Sequence, residues 1–504
     1  MRQVDLLGLL AILVTSFSSI PAYAQEPNDD DDDAQQETEE PKQAKELAEK
    51  APADAAKEAK PAVETPAPVP AAEAPPPKPK FGDTTVTGYL RGGFGASSQK
   101  GRMTCFSLAL PGALVSKYRL GNECEIWSET HFTTVVYAGD DGSVAHVHFM
   151  PTIFIPTTTI GYSPNGTTSS PAPFTTSTGA TISFPNLYVD MERIPWLAGG
   201  TVWAGNRYYK RESVYISDFF YWNPSGVGVG IEDIHLGKDL RLSYGAFAVD
   251  GEPVPATSPA PSLPPQSNFG VRNDLQLRGI KPYASGEFQV GFQYIANYSN
   301  DPNTHSGWGV TLQHVQQMLG GNNKLALQYG RGGGTGFGTL ARFYYPDFSV
   351  RHDMKEWRAR LVDVVTIQPT AWFGAQATFV YQHDDLGSTD PAGNPTTGGI
   401  TDWFSAGTRM GWAFTEHAKL LGEVGFDQVK KDNGADAQWL AKFTFAPAIT
   451  MGREFMNRPE LRFFYTWAMW NEAARTASVD SGRIYTATDK LSGAIFGVQA
   501  ETWW

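Results

Sequence analysis

From Phe81 to Trp504 apolar and polar residues alternate in short segments separated by Gly, Asn, Asp and Pro. Thr85–Leu90, Leu240–Val249, Phe288–Tyr298, Lys324–Tyr329, Ala377–Tyr381, Trp439–Phe445 and Leu461–Trp470 are examples. This period of two, bounded by turn formers, predicts β-strands. The segments run to the last residue, no strong amphipathic helix interrupts them, and no linker divides them into repeated sandwiches. The expected fold is all-β, a transmembrane antiparallel barrel, because closure removes sheet edges and satisfies every backbone group in lipid. The 424 residues after Lys80, at about 22–26 per strand and connection, allow roughly 16–19 strands. Thr157–Pro185 and Glu252–Asn268, rich in Thr, Ser and Pro, read as long external loops.

Parity assigns faces. In the last segment Ala494, Phe496, Val498, Ala500, Thr502 and Trp504 share one face, and Gln499, Glu501 and Trp503 the other. The first set suits lipid and the second a wet lumen. The same test sets Tyr89 and Arg91 against Leu90, and Arg119, Trp127 and Glu129 against Ile126. Each inward set pairs an aromatic with a charge. Rings stack on the apolar faces of sugars, while charged groups hydrogen-bond their hydroxyls. A pore holding both passes sugars if each contact is weak enough to release.

The amino terminus sets the compartment. Leu6–Val14 followed by Ala22-Tyr23-Ala24 reads as a signal peptide over residues 1–24. Residues 25–80 contain no aromatic residue and carry fifteen acidic against seven basic side chains. Such a stretch cannot bury enough apolar surface to fold and is expected to be a disordered periplasmic arm. Lys42–Lys60 could form one short helix, but its apolar positions are nearly all Ala, too small for a coiled-coil seam. A solvated spacer, an oligomerising segment and a tether to peptidoglycan or another periplasmic partner remain open for the arm. Most of the chain's formal charge of −13 belongs to it, so the folded part is close to neutral. That balance argues against nucleic acid as a partner. A mean hydropathy of −0.31 argues against a polytopic helical membrane protein.

Other motifs carry less. His146 and His148 stand two apart on an expected strand, without a carboxylate or Cys at ligand spacing, and read as pore- or loop-facing histidines rather than a metal site. Gly332–Gly338 lacks the Lys-Ser/Thr of a phosphate loop and reads as a flexible external turn. No nucleophile elbow appears, and no cofactor or enzyme activity is expected. Cys105 and Cys124, the two cysteines of an exported chain, are expected to form a disulfide.

The run Ser116-Lys117-Tyr118-Arg119-Leu120-Gly121-Asn122-Glu123-Cys124-Glu125 resembles an early segment of the maltoporin family of trimeric outer-membrane sugar channels. Ile194–Leu197, Thr201–Tyr209, Asp218–Trp222 with Ser225, Gly226 and Gly228, Gly88–Arg91, Arg458–Arg462 and Glu501–Trp504 follow the same family's order across residues 81–504. The resemblance implies eighteen strands, a homotrimer in the bacterial outer membrane and a third loop folded inward as a constriction; the family carries a comparable cysteine pair. It implies an aromatic track of Tyr89, Trp127 and Trp503 and a polar track of Arg91, Arg119, Glu129, Arg211 and Asp218. Arg211 and Asp218 rest on the resemblance alone. Phe220 stands where maltoporins carry a constriction tyrosine, Ser213 and Asn223 where they usually carry aspartates, and Met456 and Asn322 near two further track aromatics. The thinner track should weaken long linear maltodextrins more than short sugars, so a saccharide channel is expected rather than a maltodextrin channel in particular, with maltose, maltodextrin and sucrose-like oligosaccharides all open. The alternatives are a general or anion-preferring porin using Arg91, Arg119 and Arg211, and a surface receptor or envelope-tethering barrel.

Overall fold

The computed structural model describes residues 79–101, 103–108, 117–156, 180–250, 269–298, 306–335, 356–385, 399–478, 484 and 490–504. The expected signal peptide, nearly all of the arm, and most of the two Thr/Ser/Pro-rich insertions lie outside these residues.

Wall strands β1 (Thr84–Ser97), β2 (Glu125–Ala138), β3 (Val144–Pro156), β4 (Thr181–Ile194) and β5 (Gly200–Arg207) come first. A separate two-stranded hairpin follows, made of β6 (Glu212–Val214) and β7 (Phe219–Trp222). The wall resumes with β8 (Gly226–His235), β9 (Arg241–Asp250), β10 (Phe269–Tyr283), β11 (Gly286–Asn297), β12 (Gly307–Met318) and β13 (Gly321–Gly332). It continues through β14 (Trp357–Thr370), β15 (Phe373–Asp385), β16 (Ile400–Ala413) and β17 (Ala418–Lys431). It ends with β18 (Gln438–Thr450), β19 (Glu460–Trp470) and β20 (Ser492–Trp503), with one short helix α1 (Glu472–Ala477) before β20.

Eighteen strands, all but β6 and β7, form a single antiparallel sheet in which each pairs with its neighbours along the chain. The sheet closes where β20 meets β1, with Trp503 opposite Tyr89. Gly88 and Trp504 seal the seam by exchanging backbone hydrogen bonds of 3.0 and 3.1 Å. No sheet edge is left open there.

The burial pattern is that of a barrel in lipid. On β19, Leu461, Phe463, Tyr465 and Trp467 are exposed outward while Glu460, Arg462 and Thr466 are buried inward. β11 repeats it with Val290, Phe292 and Tyr294 outside and Gln289 and Gln293 inside. A water-soluble domain would do the reverse, so the medium around the wall is apolar. At the end where the turns are short, Tyr137, Trp196, Tyr283, Trp372, Phe414 and Trp504 stand exposed, the aromatic girdle of a membrane interface. Phe496 and Trp504 face outward and Gln499 and Glu501 inward, as parity at the C-terminus requires.

Two expectations need correction. Thr181–Pro185, assigned to a long loop, opens β4. Its Thr and Ser suggested a loop, but the segment pairs with β3, Ile182 opposite Ile153. Gly332 ends β13, and Gly333–Thr335 form one buried 3-10 turn rather than an exposed one. Arg358 donates to the Thr335 carbonyl at 2.7 Å, which holds the turn against the inner wall; Gly336–Gly338 lie outside the described residues.

Two long connections fold back into the barrel. Between β1 and β2, residues 103–108 and 117–124 are tied by the Cys105–Cys124 disulfide, with Cα atoms 5.8 Å apart. Asn122 staples the same base, accepting from the Phe106 N–H at 2.8 Å and donating to its carbonyl at 2.9 Å. Residues 208–225, the third long connection, carry the β6–β7 hairpin inward. Val214, Ile216, Phe219, Tyr221 and Trp222 are buried and share one apolar cluster with Tyr118 and Trp403. Phe219 meets Trp403 of β16 edge to face at 5.2 Å, and the Tyr221 hydroxyl donates to Gln313 of β12 at 2.6 Å. The two segments therefore line one side of the interior.

A loop of this size tied by a disulfide gains roughly 3 kcal/mol by chain-entropy reasoning. Substituting serine for both Cys105 and Cys124 is therefore expected to loosen residues 98–124 and raise single-channel current noise. Quiet traces identical to the unsubstituted protein would show that Tyr118 and Asn122 anchor the loop unaided.

Candidate functional site, the channel constriction

The narrow zone forms where the two inward segments face β1, β2 and β20. Period-two geometry aims Tyr89 and Arg91 of β1, Trp127 and Glu129 of β2, and Glu501 and Trp503 of β20 into the lumen. Tyr89 and Trp503 lie side by side across the seam, ring centroids 6.5 Å apart and planes 21° off parallel. Trp127 packs edge-on against Phe154 of β3 at 6.0 Å and donates its indole N–H to Glu129 at 2.9 Å. Tyr208, at the start of the third loop, reaches the same Glu129 oxygen at 3.4 Å. Arg211 lies over the Tyr208 ring at 3.3 Å and the Phe220 ring at 4.7 Å. Tyr89, Trp127, Trp503, Tyr208 and Phe220 are all half-buried, each leaving part of its ring accessible.

A continuous ion-pair network underlies the rings. Arg91 contacts Glu123 at 2.9 Å, Glu125 at 2.9 Å and Asp218 at 3.1 Å. Arg119 contacts Glu123 at 2.7 Å and Glu501 at 3.0 Å, and Lys117 pairs with Glu125 at 2.6 Å. Glu501 also takes Arg458 at 2.9 Å and Arg462 at 2.5 Å. Tyr89 donates to it at 2.8 Å, and the Tyr215 hydroxyl donates as well. In the third loop, burial opposes ionisation of Asp218, but Arg91, Arg119 and Lys117 outweigh it and hold the carboxyl well below its usual range. Asp218 sits in the left-handed backbone region, φ 55°, a conformation Asp tolerates better than most residues. That turn aims the carboxylate at Arg91.

The structure brings Tyr89, Arg91, Arg119, Asp218 and Trp503 into one network, joined through Trp127 to Glu129, Tyr208, Arg211 and Phe220. Arg91 and Arg119 are buried beneath the rings, at 7% and 4% exposure, and each pairs with at least two carboxylates. Arg119 also differs in how it arrives. It precedes β2 and lies on no strand, so alternation with Trp127 does not place it; the inward path of residues 117–124 does. Ser213 falls on β6, and Asn223 is buried, accepting from the Ser225 N–H at 3.3 Å. Asn322 sits beside the short turn that opens β13, and Met456 is exposed in the turn before β19, so neither joins the rings.

Three contributors escaped sequence reasoning. Tyr215 meets Trp503 edge to face at 6.3 Å and lies under Arg119 at 5.0 Å. Arg458, from the short-end turn before β19, lies over Trp503 at 4.6 Å. Glu123 joins Arg91 to Arg119. All three belong to irregular segments, where no alternation marks a facing. Their presence in or beside the resembling blocks was the only available signal.

An eighteen-stranded barrel with an inward-folded third loop defines an outer-membrane channel of the porin class. The LamB porin family matches residues 84–504, the whole barrel, and the chain belongs to that family. Among solved structures it is similar to OccD3 (OpdP) of Pseudomonas aeruginosa at 8% identity, over 84% of this chain and 92% of that one, TM-score 0.42. OccAB1 of Acinetobacter baumannii is 11% identical over 84% of this chain and 97% of that one, TM-score 0.44. OmpT of Vibrio cholerae, described in a trimer form, is 8% identical over 84% and 100%, TM-score 0.37.

Proposed function

We propose that the protein is a passive channel for saccharides. The observation that carries this reading is the set of half-buried rings, Tyr89, Trp127, Trp503, Tyr208 and Phe220, standing over fixed ion pairs in the narrow zone. The rings offer stacking surfaces to pyranose faces, and the locked charges keep those surfaces in place. In this reading Arg91 and Arg119 act beneath the track, while Glu129, Arg211 and Asp218 border the path. The same balance of charge weakens the anion-porin alternative, since Arg91, Arg119, Lys117, Arg458 and Arg462 each face a carboxylate within 3.1 Å. The chain's membership of the LamB porin family further supports a homotrimer in the outer membrane. We read residues 1–24 as its signal peptide and 25–80 as a periplasmic arm.

The test is a planar-bilayer titration of sucrose, maltose and longer maltodextrins against ion current. Saturable block is expected, and Trp127→Ala should weaken it about five- to tenfold, the loss of one stacking surface. Current unaffected by every sugar would overturn the saccharide reading and leave a general porin or receptor barrel.

A further inference from the structure

Below the constriction the inner wall carries a second cluster. His146 and His148, two apart on β3, point inward together. Register sets Asp190 of β4 directly opposite His146. The carboxylate that was missing at sequence spacing thus arrives from a strand more than forty residues away. His146 Nδ1 lies 2.9 Å from Asp190 Oδ1, and His148 Nε2 lies 2.9 Å from Asp190 Oδ2. The three ligand atoms fall within 4.8 Å of one another.

We propose that His146, His148 and Asp190 form a binding site for a zinc-class divalent transition ion in the channel wall. Two imidazoles and one carboxylate are the donor set such ions take when a fourth position stays open. Around a tetrahedral ion with bonds of about 2.0–2.1 Å, donor atoms sit roughly 3.4 Å apart. Each nitrogen already lies inside that figure of its own carboxylate oxygen, so closing on one ion through a single Asp190 oxygen requires the rings and the carboxylate to converge by about an ångström. The Asp190 carboxylate only accepts, so each ring now turns an N–H toward it; with a metal bound each ring would carry its proton on the other nitrogen, which for His148 is the Nδ1 facing Thr133 Oγ1. Side-chain exposures of 5%, 8% and 14% for Asp190, His148 and His146 leave His146 as the side open to the lumen.

The surroundings hold the ligands in place. The far nitrogen of His148, Nδ1, meets Thr133 Oγ1 and His131 Nε2, each at 3.2 Å. Such a partner orients the nitrogen turned toward the metal. Tyr188 stacks flat on His148, centroids 4.1 Å apart and planes 3° from parallel. The nearby cation, Arg207, is bound to Glu232 at 2.8 Å, which offsets its repulsion of a metal. Glu129 pairs with Thr152, four residues along β3 from His148, so the cluster lies roughly 13 Å from the Trp127–Glu129 contact toward the short-turn mouth. A solute leaving the constriction passes the open coordination position.

The site does not depend on which solute the channel passes. Full-length protein purified without a polyhistidine tag and freed of metal would be titrated with Co²⁺. The intense visible absorption of four-coordinate cobalt is expected to saturate near one ion per chain and to vanish on adding Zn²⁺. The acidic run Asp29–Asp33 offers only carboxylates and gives no such band. His146→Gln and Asp190→Asn should each weaken cobalt binding at least tenfold, while single-channel conductance in EDTA stays at the unsubstituted value and shows the barrel intact. In bilayers, Zn²⁺ added on the short-turn side should lower the current reversibly, and only when the triad is present. Absence of the band in the unsubstituted protein overturns the site. So does a band of undiminished affinity in either variant.

Discussion

Glu501→Ala is expected to widen the channel and destabilise the barrel. The side chain is fully buried and receives Tyr89, Arg119, Arg458, Arg462 and Tyr215. These groups come from β1, both inward segments, the turn before β19, and β19 itself. Removing one partner of a buried pair costs about 3–5 kcal/mol, because the remaining charge is stranded. Arg119 retains Glu123 at 2.7 Å, and Arg458 and Arg462 retain Glu460 at 3.3 and 2.7 Å, so the lower end of that range applies. The larger consequence is geometric. Arg119 and Tyr215 lose their shared hold on β20, leaving the first loop tied to that strand through Gln499, which accepts from the Gly121 N–H and donates to Glu123. Single-channel conductance should rise severalfold, sugar block should weaken, and the urea midpoint should fall; Glu501→Gln, which keeps the shape, should lie between. An alanine variant matching the unsubstituted protein in both conductance and midpoint would refute the central role of this carboxylate.

Gly425→Val is expected to expel Tyr118 from its seat. Gly425 of β17 lies directly opposite Gly407 of β16, and together they leave a flat patch on the inner wall. The Tyr118 ring fills it so closely that an added Cβ would stand 1.9 Å from the ring at Gly425 and 2.2 Å at Gly407. Tyr118 is 1% exposed, and its hydroxyl meets Ser405 Oγ at 2.9 Å. Losing a buried aromatic of this kind costs about 3–5 kcal/mol. The displaced ring would also pull Leu120 from Glu423, whose carboxylate accepts the Leu120 N–H at 2.9 Å. Folded yield and urea midpoint should both fall sharply. Combining Gly425→Val with Tyr118→Ala should cost clearly less than the sum of the two single changes, because the collision is then gone. Strict additivity would show that the ring does not sit on the glycine pair.

How much of the constriction was legible follows from where each residue lies. Tyr89, Arg91, Trp127, Glu129 and Trp503 stand on strands, where alternation fixes the side a residue faces. Asp218, Arg211 and Phe220 could be placed only through resemblance, because the third loop has no period to read. Arg119 was grouped with the right neighbours for a reason that does not hold, since it lies on no strand. Tyr215 and Arg458 had no local signature, although both touch Trp503.

The barrel, its inward and outward faces and the cysteine pair near the first loop are legible along the chain. These follow from a period of two, a property of each strand alone, and from composition. Which distant residues meet is fixed by the folded wall. The Gly407–Gly425 patch, the Asp190 carboxylate between His146 and His148, and the convergence on Glu501 all depend on register between strands and on the path of two inward loops. Those are set by packing across the whole closed wall, and no local pattern along the chain encodes them.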